Sequence, residues 1–135
     1  MTRQQEFYLP EFSRGIYLIT SFVEQAMEYP EVGVLHVFLK HTSAGLCLNE
    51  NADLTVRSDM KEALDRMVPE NQPYFQHTIE GPDDMPAHIK TVLVGSHVSI
   101  PITHGQLNLG RWQGLYLCEF RDSGGPRKLV LTVTT

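Results

Sequence analysis

Two β-prone runs fill most of the C-terminal third of the chain, and they constrain its fold more than any other feature. The runs extend from Trp112 to Phe120 and from Lys128 to Thr134. From Leu129 onwards every second residue of the second run is Leu or Val, so a strand formed there has one apolar face. The intervening segment, Arg121 to Pro126, contains two glycines and a proline, which predicts a hairpin-type connection.

Shorter β-prone runs and three short helical patterns account for the rest of the chain. The helical patterns are bounded at Thr20 and Pro30, at Asp53 and Pro69, and at Gly81–Pro86 and Gly95. Strands are predicted at residues 7–9, 15–19, 34–39, 46–48, 74–79 and 98–103. This mixture predicts one α+β domain over residues 1–135, with an antiparallel or mixed β-sheet core and about three short helices.

Composition and charge exclude several classes of function. A formal net charge of −5 argues against a broad surface for nucleic acid or anionic membranes, because such surfaces are built from clustered Lys and Arg. No segment approaches the roughly 20 apolar residues of a membrane-spanning helix, and no apolar signal segment begins the chain. We therefore expect a cytoplasmic protein without a membrane partner. Cys47 and Cys118 each stand among apolar residues, which favours free thiols in the core.

A polar turn after one β-prone run is the first candidate site. His41 ends that run and opens the segment His41–Gly45, which also contains Thr42 and Ser43. Small side chains, hydroxyls and free amide groups in such a turn suit the oxygens of a phosphate. An ordinary turn explains the same residues without a ligand, and the pattern alone does not choose between the two.

A second polar cluster lies between the next strand and the second helix. It contains Asn49, Glu50 and Asp53. Carboxylates near a helix start can hold Mg²⁺ or act as acid and base. Helix capping is enough to explain Asp53, but it explains Glu50 less well.

The histidines do not form a recognisable local metal motif. His77, His88 and His104 are too widely spaced for a zinc motif within one segment, although the fold can still bring them together. The chain also has no glycine loop for nucleotides and no motif for a serine or cysteine nucleophile. The residues by themselves therefore indicate an α+β domain with histidine- and carboxylate-bearing loops, and nothing more specific.

An ordered set of short motifs carries more information than any one of them. The motifs are His41–Ala44, Leu48–Asp53, His88–Lys90 with Gly95, Ile100–Pro101, Gly105 and Leu109–Gln113, within a stretch from Arg14–Gly15 to Gly125–Arg127. In order and spacing, this set resembles the YjbQ family over essentially the whole chain.

The resemblance implies a compact α+β fold, a homotrimer and a weak, secondary thiamine phosphate synthase activity. This transferase reaction joins a pyrimidine-methyl diphosphate to a thiazole phosphate and releases diphosphate, so cationic groups or Mg²⁺ must take up the developing charge. Arg111 stands where the family has threonine, which leaves the preferred phosphorylated metabolite open. The matching residues are assigned on this basis: His41, Thr42, Ser43 and Arg127 to phosphate, Glu50 and Asp53 to Mg²⁺ or the pyrimidine amine, His88 to acid catalysis or metal binding, and Asn49, Trp112 and Gln113 to the rest of the substrate.

Two other functions are open at this point. One is a non-catalytic trimer that binds a metal or an anionic metabolite. The other is a metal-dependent hydrolase, with Zn²⁺ or another divalent ion held by His41, His77 and His88 and one coordination position left free. The synthase hypothesis makes one structural prediction, which is that His41, Glu50 and His88 converge in a single cleft.

Overall fold

The computed structural model describes residues 1–135 and contains eight strands and three helices. In chain order they are β1 Arg3–Tyr8, β2 Gly15–Leu18, α1 Thr20–Ala26, β3 Val32–Leu39, β4 Ala44–Glu50, α2 Leu54–Met67, α3 Asp84–Val94, β5 His97–Thr103, β6 Gln106–Leu107, β7 Gln113–Glu119 and β8 Lys128–Thr134. The predicted α+β class is confirmed. None of the helices is long and apolar enough to cross a membrane.

The strands form two antiparallel sheets that enclose the main core. One sheet has five strands in the order β1-β8-β3-β5-β6, and the other has three in the order β2-β7-β4. Alternate residues of β3 and β8, such as Leu35, Leu129 and Leu131, meet Leu46 and Leu117 of the smaller sheet. Because every second side chain of a strand faces the same way, each sheet contributes one apolar face to this core.

The predicted hairpin between the last two long strands is wrong. Strand β7 pairs with β2 and β4, whereas β8 pairs with β1 and β3, so the connecting segment crosses from one sheet to the other. Both edges of β7 are already occupied, which leaves no place for β8 beside it. At the crossing, the buried guanidinium of Arg127 binds Glu119 of β7 and Ser43. Such tertiary contacts cannot be predicted from the turn-forming residues of the connection.

Helices α2 and α3 cover the outer face of the three-stranded sheet. Leu64 of α2 and Ala87 of α3 pack there with Cys118 and Phe120. Helix α2 begins as predicted, because the Asp53 carboxylate accepts a hydrogen bond from the backbone N–H of Thr55 at 2.9 Å. Helix α1 begins at Thr20, where the sequence predicts it, although Ile19 occupies the capping position and no side chain forms a capping hydrogen bond there.

The predicted strand at residues 74–79 is also wrong. These residues belong to the loop between α2 and α3, which contains no strand. The side chains of Tyr74 and Ile79 are 73% and 97% exposed, so the apolar residues that indicated a strand have no sheet to pack against. The same loop carries His77 towards the beginning of α3, where it contacts Asp84.

Candidate metal centre

The beginning of α3 brings together His77, Asp84 and His88. Their ligand atoms all lie within 4.8 Å of one another. Oδ2 of Asp84 is 2.6 Å from Nε2 of His77 and 3.0 Å from Nε2 of His88. Asp84 and His88 are four residues apart on one helix and therefore share a face, while His77 reaches the same point from the preceding loop. The prediction included both histidines but missed the carboxylate, because an Asp at a helix start is explained by capping alone.

The cluster has a buried carboxylate and accessible imidazoles. The Asp84 side chain is 2% exposed, whereas His77 and His88 are 46% and 31% exposed. Burial tends to raise the pKa of Asp84, but the hydrogen bond from His77 and the charges of His88 and Arg121 outweigh it and lower the pKa overall. The site therefore offers a carboxylate oxygen at its base and stays open towards solvent.

The orientation of His88 is fixed by a backbone carbonyl. Its Nδ1 lies 2.7 Å from the carbonyl oxygen of Thr42, and a carbonyl only accepts, so Nδ1 carries the proton. In the neutral ring the lone pair is then on Nε2, which faces Asp84 Oδ2. Since both of these atoms are acceptors, their contact is favourable only when a proton or a cation lies between them.

The three ligand atoms fit a first-row divalent metal ion. Zn²⁺ binds imidazole nitrogen and carboxylate oxygen at about 2.0–2.2 Å, so its ligand atoms are about 3.0–3.5 Å apart. His88 Nε2 and Asp84 Oδ2 already have this separation, whereas His77 Nε2 lies closer to Asp84 Oδ2, at 2.6 Å. All three ligand atoms lie within 4.8 Å of one another, so the His77 ring has to shift for all of them to bind one ion. Metal-binding histidines commonly donate their other N–H to a backbone carbonyl, as His88 does.

His41 is near this cluster but is not part of it. Its Nε2 accepts the backbone N–H of Lys128 at 2.7 Å, so that nitrogen is occupied. Burial, with a further contribution from the Arg127 charge, lowers the pKa of His41 and favours the neutral ring. His41 and His88 line one open groove together with Lys40 and Thr42. The third potential ligand of the cluster is thus Asp84, whereas the hydrolase hypothesis placed His41 there.

Two residues assigned to phosphate are instead engaged in the core. Arg127 donates to both carboxylate oxygens of Glu119, at 2.7 and 2.6 Å, and to the hydroxyl of Ser43 at 2.9 Å. Its side chain is only 5% exposed and that of Glu119 is fully buried. Within one chain these groups connect the two sheets and do not line the groove.

The carboxylates of the second predicted cluster lie at the opposite end of β4. Glu50 ends that strand, about 20 Å from Ala44 at its start, as the rise of a strand requires. The Glu50 carboxylate accepts the N–H of Asp53, and the Asp53 carboxylate accepts the N–H and hydroxyl of Thr55. The side-chain oxygen of Asn49 accepts the N–H of Glu50. Within one chain, therefore, His41 and His88 do not converge with Glu50.

Trp112 and Gln113 belong to this distant end as well. Trp112 is 55% exposed, and the guanidinium of Arg111 lies 4.8 Å from the centre of its ring. Gln113 pairs with Glu50 across the sheet, and its side-chain oxygen accepts the N–H of Gly110. The predicted residues thus form two separate groups, one around His88 and one around Glu50.

Comparison with known proteins gives a consistent result along the whole chain. A family model described as "UPF0047 protein YjbQ-like" matches residues 5–135. The UPF0047 protein YjbQ of Salmonella typhimurium is 46% identical, with 98% of each sequence aligned. A conserved hypothetical protein of Thermus thermophilus superposes with a TM-score of 0.83 at 35% identity, covering 93% of this chain and 97% of the other. An uncharacterized conserved protein of Clostridium acetobutylicum gives a TM-score of 0.83 at 35% identity, covering 96% and 99%.

Proposed function

The chain belongs to the YjbQ-like UPF0047 family, and from this starting point we propose that it is a metal-dependent enzyme acting on a small phosphorylated metabolite. One observation carries the proposal, namely the convergence of two imidazoles and a buried carboxylate on a single accessible point. Arg121 balances the charge of Asp84 at Oδ1. The contact of Oδ2 with Nε2 of His88 still requires a proton or a cation between two acceptors. The accessible histidines leave room for a substrate beside the ion.

The donor set favours zinc or a similar first-row ion over Mg²⁺. Mg²⁺ prefers oxygen ligands and keeps most of its water, whereas imidazole suits Zn²⁺, Fe²⁺ and their neighbours. When bound, such an ion supplies a Lewis acid for a phosphoryl oxygen or an activated water. The Mg²⁺ expected for diphosphate chemistry would then arrive with the substrate and would not need Glu50 or Asp53.

The groove beside His88 is the proposed phosphate-binding region. Lys40 borders it, with its ammonium 3.6 Å from Glu6 Oε1, and Thr42 adds a hydroxyl. His41 can donate from Nδ1, because its Nε2 accepts a backbone N–H and its pKa is lowered by burial. A neutral donor of fixed tautomer binds an anion without having to be protonated first. His41 is thus proposed to orient the phosphate.

The specific reaction that we propose is thiamine phosphate formation. The thiazole nitrogen forms a bond to the pyrimidine methylene carbon, while the bond from that carbon to the diphosphate oxygen breaks. Diphosphate leaves with the electron pair, so the groove has to stabilise the growing negative charge. Family resemblance supports this choice of substrates, and the metal centre supports the charge-stabilising role.

Turnover by the zinc-loaded protein tests the proposal directly. Wild type and His88→Ala are incubated with the pyrimidine diphosphate, the thiazole phosphate and Mg²⁺, and thiamine phosphate and free diphosphate are quantified. His104→Ala is the matched control, because His104 is an exposed histidine paired with Glu31 on another part of the surface. Product from wild type and His104→Ala, but not from His88→Ala, is expected.

The other outcomes separate the alternatives. Release of diphosphate from the pyrimidine compound alone, without condensation, would identify a metal-dependent hydrolase. Tight zinc and diphosphate binding without any turnover would identify a binding protein. A product yield that is equal in wild type and His88→Ala would contradict an active site at this cluster.

A homotrimer in the cytoplasm is the proposed state of the molecule. The main helix contacts are with β2, β4 and β7 of the smaller sheet, so no helix packs extensively on the outer face of the five-stranded sheet. On that face Val32 and Phe38 are 68% and 47% exposed, which suits a contact between copies. Light scattering is expected to give about three times the chain mass of 15.3 kDa, and Val32→Glu is expected to lower it.

A further inference from the structure

Arg121 binds the oxygen of Asp84 that does not face the histidines. Its Nη1 donates to Asp84 Oδ1 at 2.7 Å, while both histidines contact Oδ2. The two oxygens of the Asp84 carboxylate thus have different partners. Oδ1 accepts a hydrogen bond from a guanidinium, and Oδ2 is directed at the point where the imidazoles meet. No turn or helix signal in the sequence assigns Arg121 such a role.

The guanidinium is itself held on three sides. Its Nε donates to Asp83 Oδ2 at 3.0 Å and its Nη2 to the carbonyl oxygen of Glu80 at 3.0 Å. Asp83 Oδ2 also accepts the backbone N–H of Asp122, at 2.9 Å. Because every nitrogen of the guanidinium has a partner, the planar group cannot rotate without losing several charged hydrogen bonds at once.

We propose that Arg121 is a positioning residue that makes Asp84 a one-oxygen ligand of the metal centre. Oδ1 accepts a charged hydrogen bond and Oδ2 does not face Arg121, so coordination through Oδ2 alone is favoured over the bidentate carboxylate that suits larger ions. With one oxygen and two nitrogens, the ion keeps coordination positions for water or substrate. Arg121 thereby sets both the coordination number and the preference for a small, nitrogen-binding ion. This inference rests on the metal centre proposed above.

Metal titration of two Arg121 variants tests the inference. Arg121→Gln removes the charge and most donors, and Arg121→Lys keeps the charge but not the planar fork. Zinc affinity is measured in metal-free protein by competition with a chromophoric chelator. Loss of an outer partner of a metal ligand commonly costs 10–100-fold in affinity, so we expect about that loss for Gln and a smaller one for Lys.

The visible spectrum of the Co²⁺-loaded protein provides a readout that general destabilisation would not move. Four-coordinate Co²⁺ absorbs strongly, and the absorption weakens when the coordination number rises. Freed from Arg121, Asp84 can offer both oxygens, so the variants are expected to show weaker, shifted bands. Arg14→Gln is the matched control, because Arg14 binds Asp65, Glu70 and Asp122 but does not contact Asp84.

Two further variants separate failure of this inference from failure of the metal centre. If Asp84→Asn and His88→Ala bind zinc as tightly as wild type, the centre itself is refuted. If those two lose zinc while Arg121→Gln keeps wild-type affinity and Co²⁺ spectrum, only the role of Arg121 is refuted. If Arg121→Gln does not fold, Arg121→Lys decides, since an unchanged spectrum and affinity there overturn the inference.

Discussion

Removal of the Arg127 guanidinium is expected to destabilise the fold and to leave the chemistry of the groove in place. Arg127 is one of the residues assigned to phosphate from its motif, yet it forms a buried pair with Glu119. In Arg127→Ala the Glu119 carboxylate stays inside the protein and loses the charge that balances it. Such an uncompensated buried charge is more costly than the missing contacts alone.

The contacts of the Arg127–Glu119 pair determine how much stability Arg127→Ala is expected to lose. Breaking a buried ion pair by removing one partner costs about 3–5 kcal/mol. The backbone N–H of Arg121 continues to donate to Glu119 Oε2 at 3.1 Å, so the lower end of that range applies here. About 3 kcal/mol corresponds to a decrease in Tm of about 10–15 °C for a domain of this length.

Thermal unfolding and diphosphate binding are measured side by side on Arg127→Ala. The control is Arg111→Ala, which removes an exposed guanidinium over Trp112 and is expected to change Tm by about 2 °C or less. The double variant Arg127→Met with Glu119→Leu is expected to recover most of the lost stability, since no unpaired charge remains. Normal thermal stability of Arg127→Ala combined with lost diphosphate binding would refute this reasoning and return Arg127 to the ligand.

Three other predictions follow from individual contacts. Asp53→Ala is expected to lower the free energy of unfolding, measured with urea, by about 1 kcal/mol, because the α2 cap is lost. Turnover is expected to stay unchanged, and a loss of turnover would show that Asp53 belongs to the active site. Burial raises the pKa of Asp65, but the hydrogen bonds and charges of Lys90 and Lys61 outweigh it and hold the pKa below 3.8. Its stabilising contribution is therefore complete above pH 3.8 and is lost as the pH falls through the lowered pKa, so Asp65→Asn should flatten the acid side of a stability–pH profile. Cys47 is expected to be alkylated before Cys118, because it is only half-buried and its hydrogen bond with Cys118 lowers its pKa. Peptide mass mapping that finds Cys118 modified first would contradict this expectation.

The sequence predicts local structure well where one face of an element is strongly apolar. Helix α2, its Asp53 cap and the alternation in β8 are all visible in the order of residues, because they depend on neighbours within a few positions. The prediction for residues 74–79 fails because a β-prone run becomes a strand only when it pairs with another strand, and this run pairs with none. The β7–β8 prediction fails for a related reason, since the path of that connection is decided by which strand edges the rest of the fold has already filled.

The candidate metal centre shows what rules of residue spacing cannot detect. A rule for ligands within one segment finds partners at four-residue spacing, and Asp84 and His88 do have that spacing on α3. A helix start explains Asp84 without a metal, while His77 lies in a loop whose course depends on tertiary contacts. Asp84 can thus be interpreted as a helix-start residue or as a metal ligand. Arg121 distinguishes the two interpretations, because it binds one oxygen of Asp84 from a segment 37 residues away. Asp84 does not act as a cap, because Asp83 occupies the capping position of α3 and no side chain forms a capping hydrogen bond there. Arg121 balances the charge of Asp84 through Oδ1, and Oδ2 remains directed at two imidazoles, so this division of the two oxygens is the reason to expect a ligand at Oδ2.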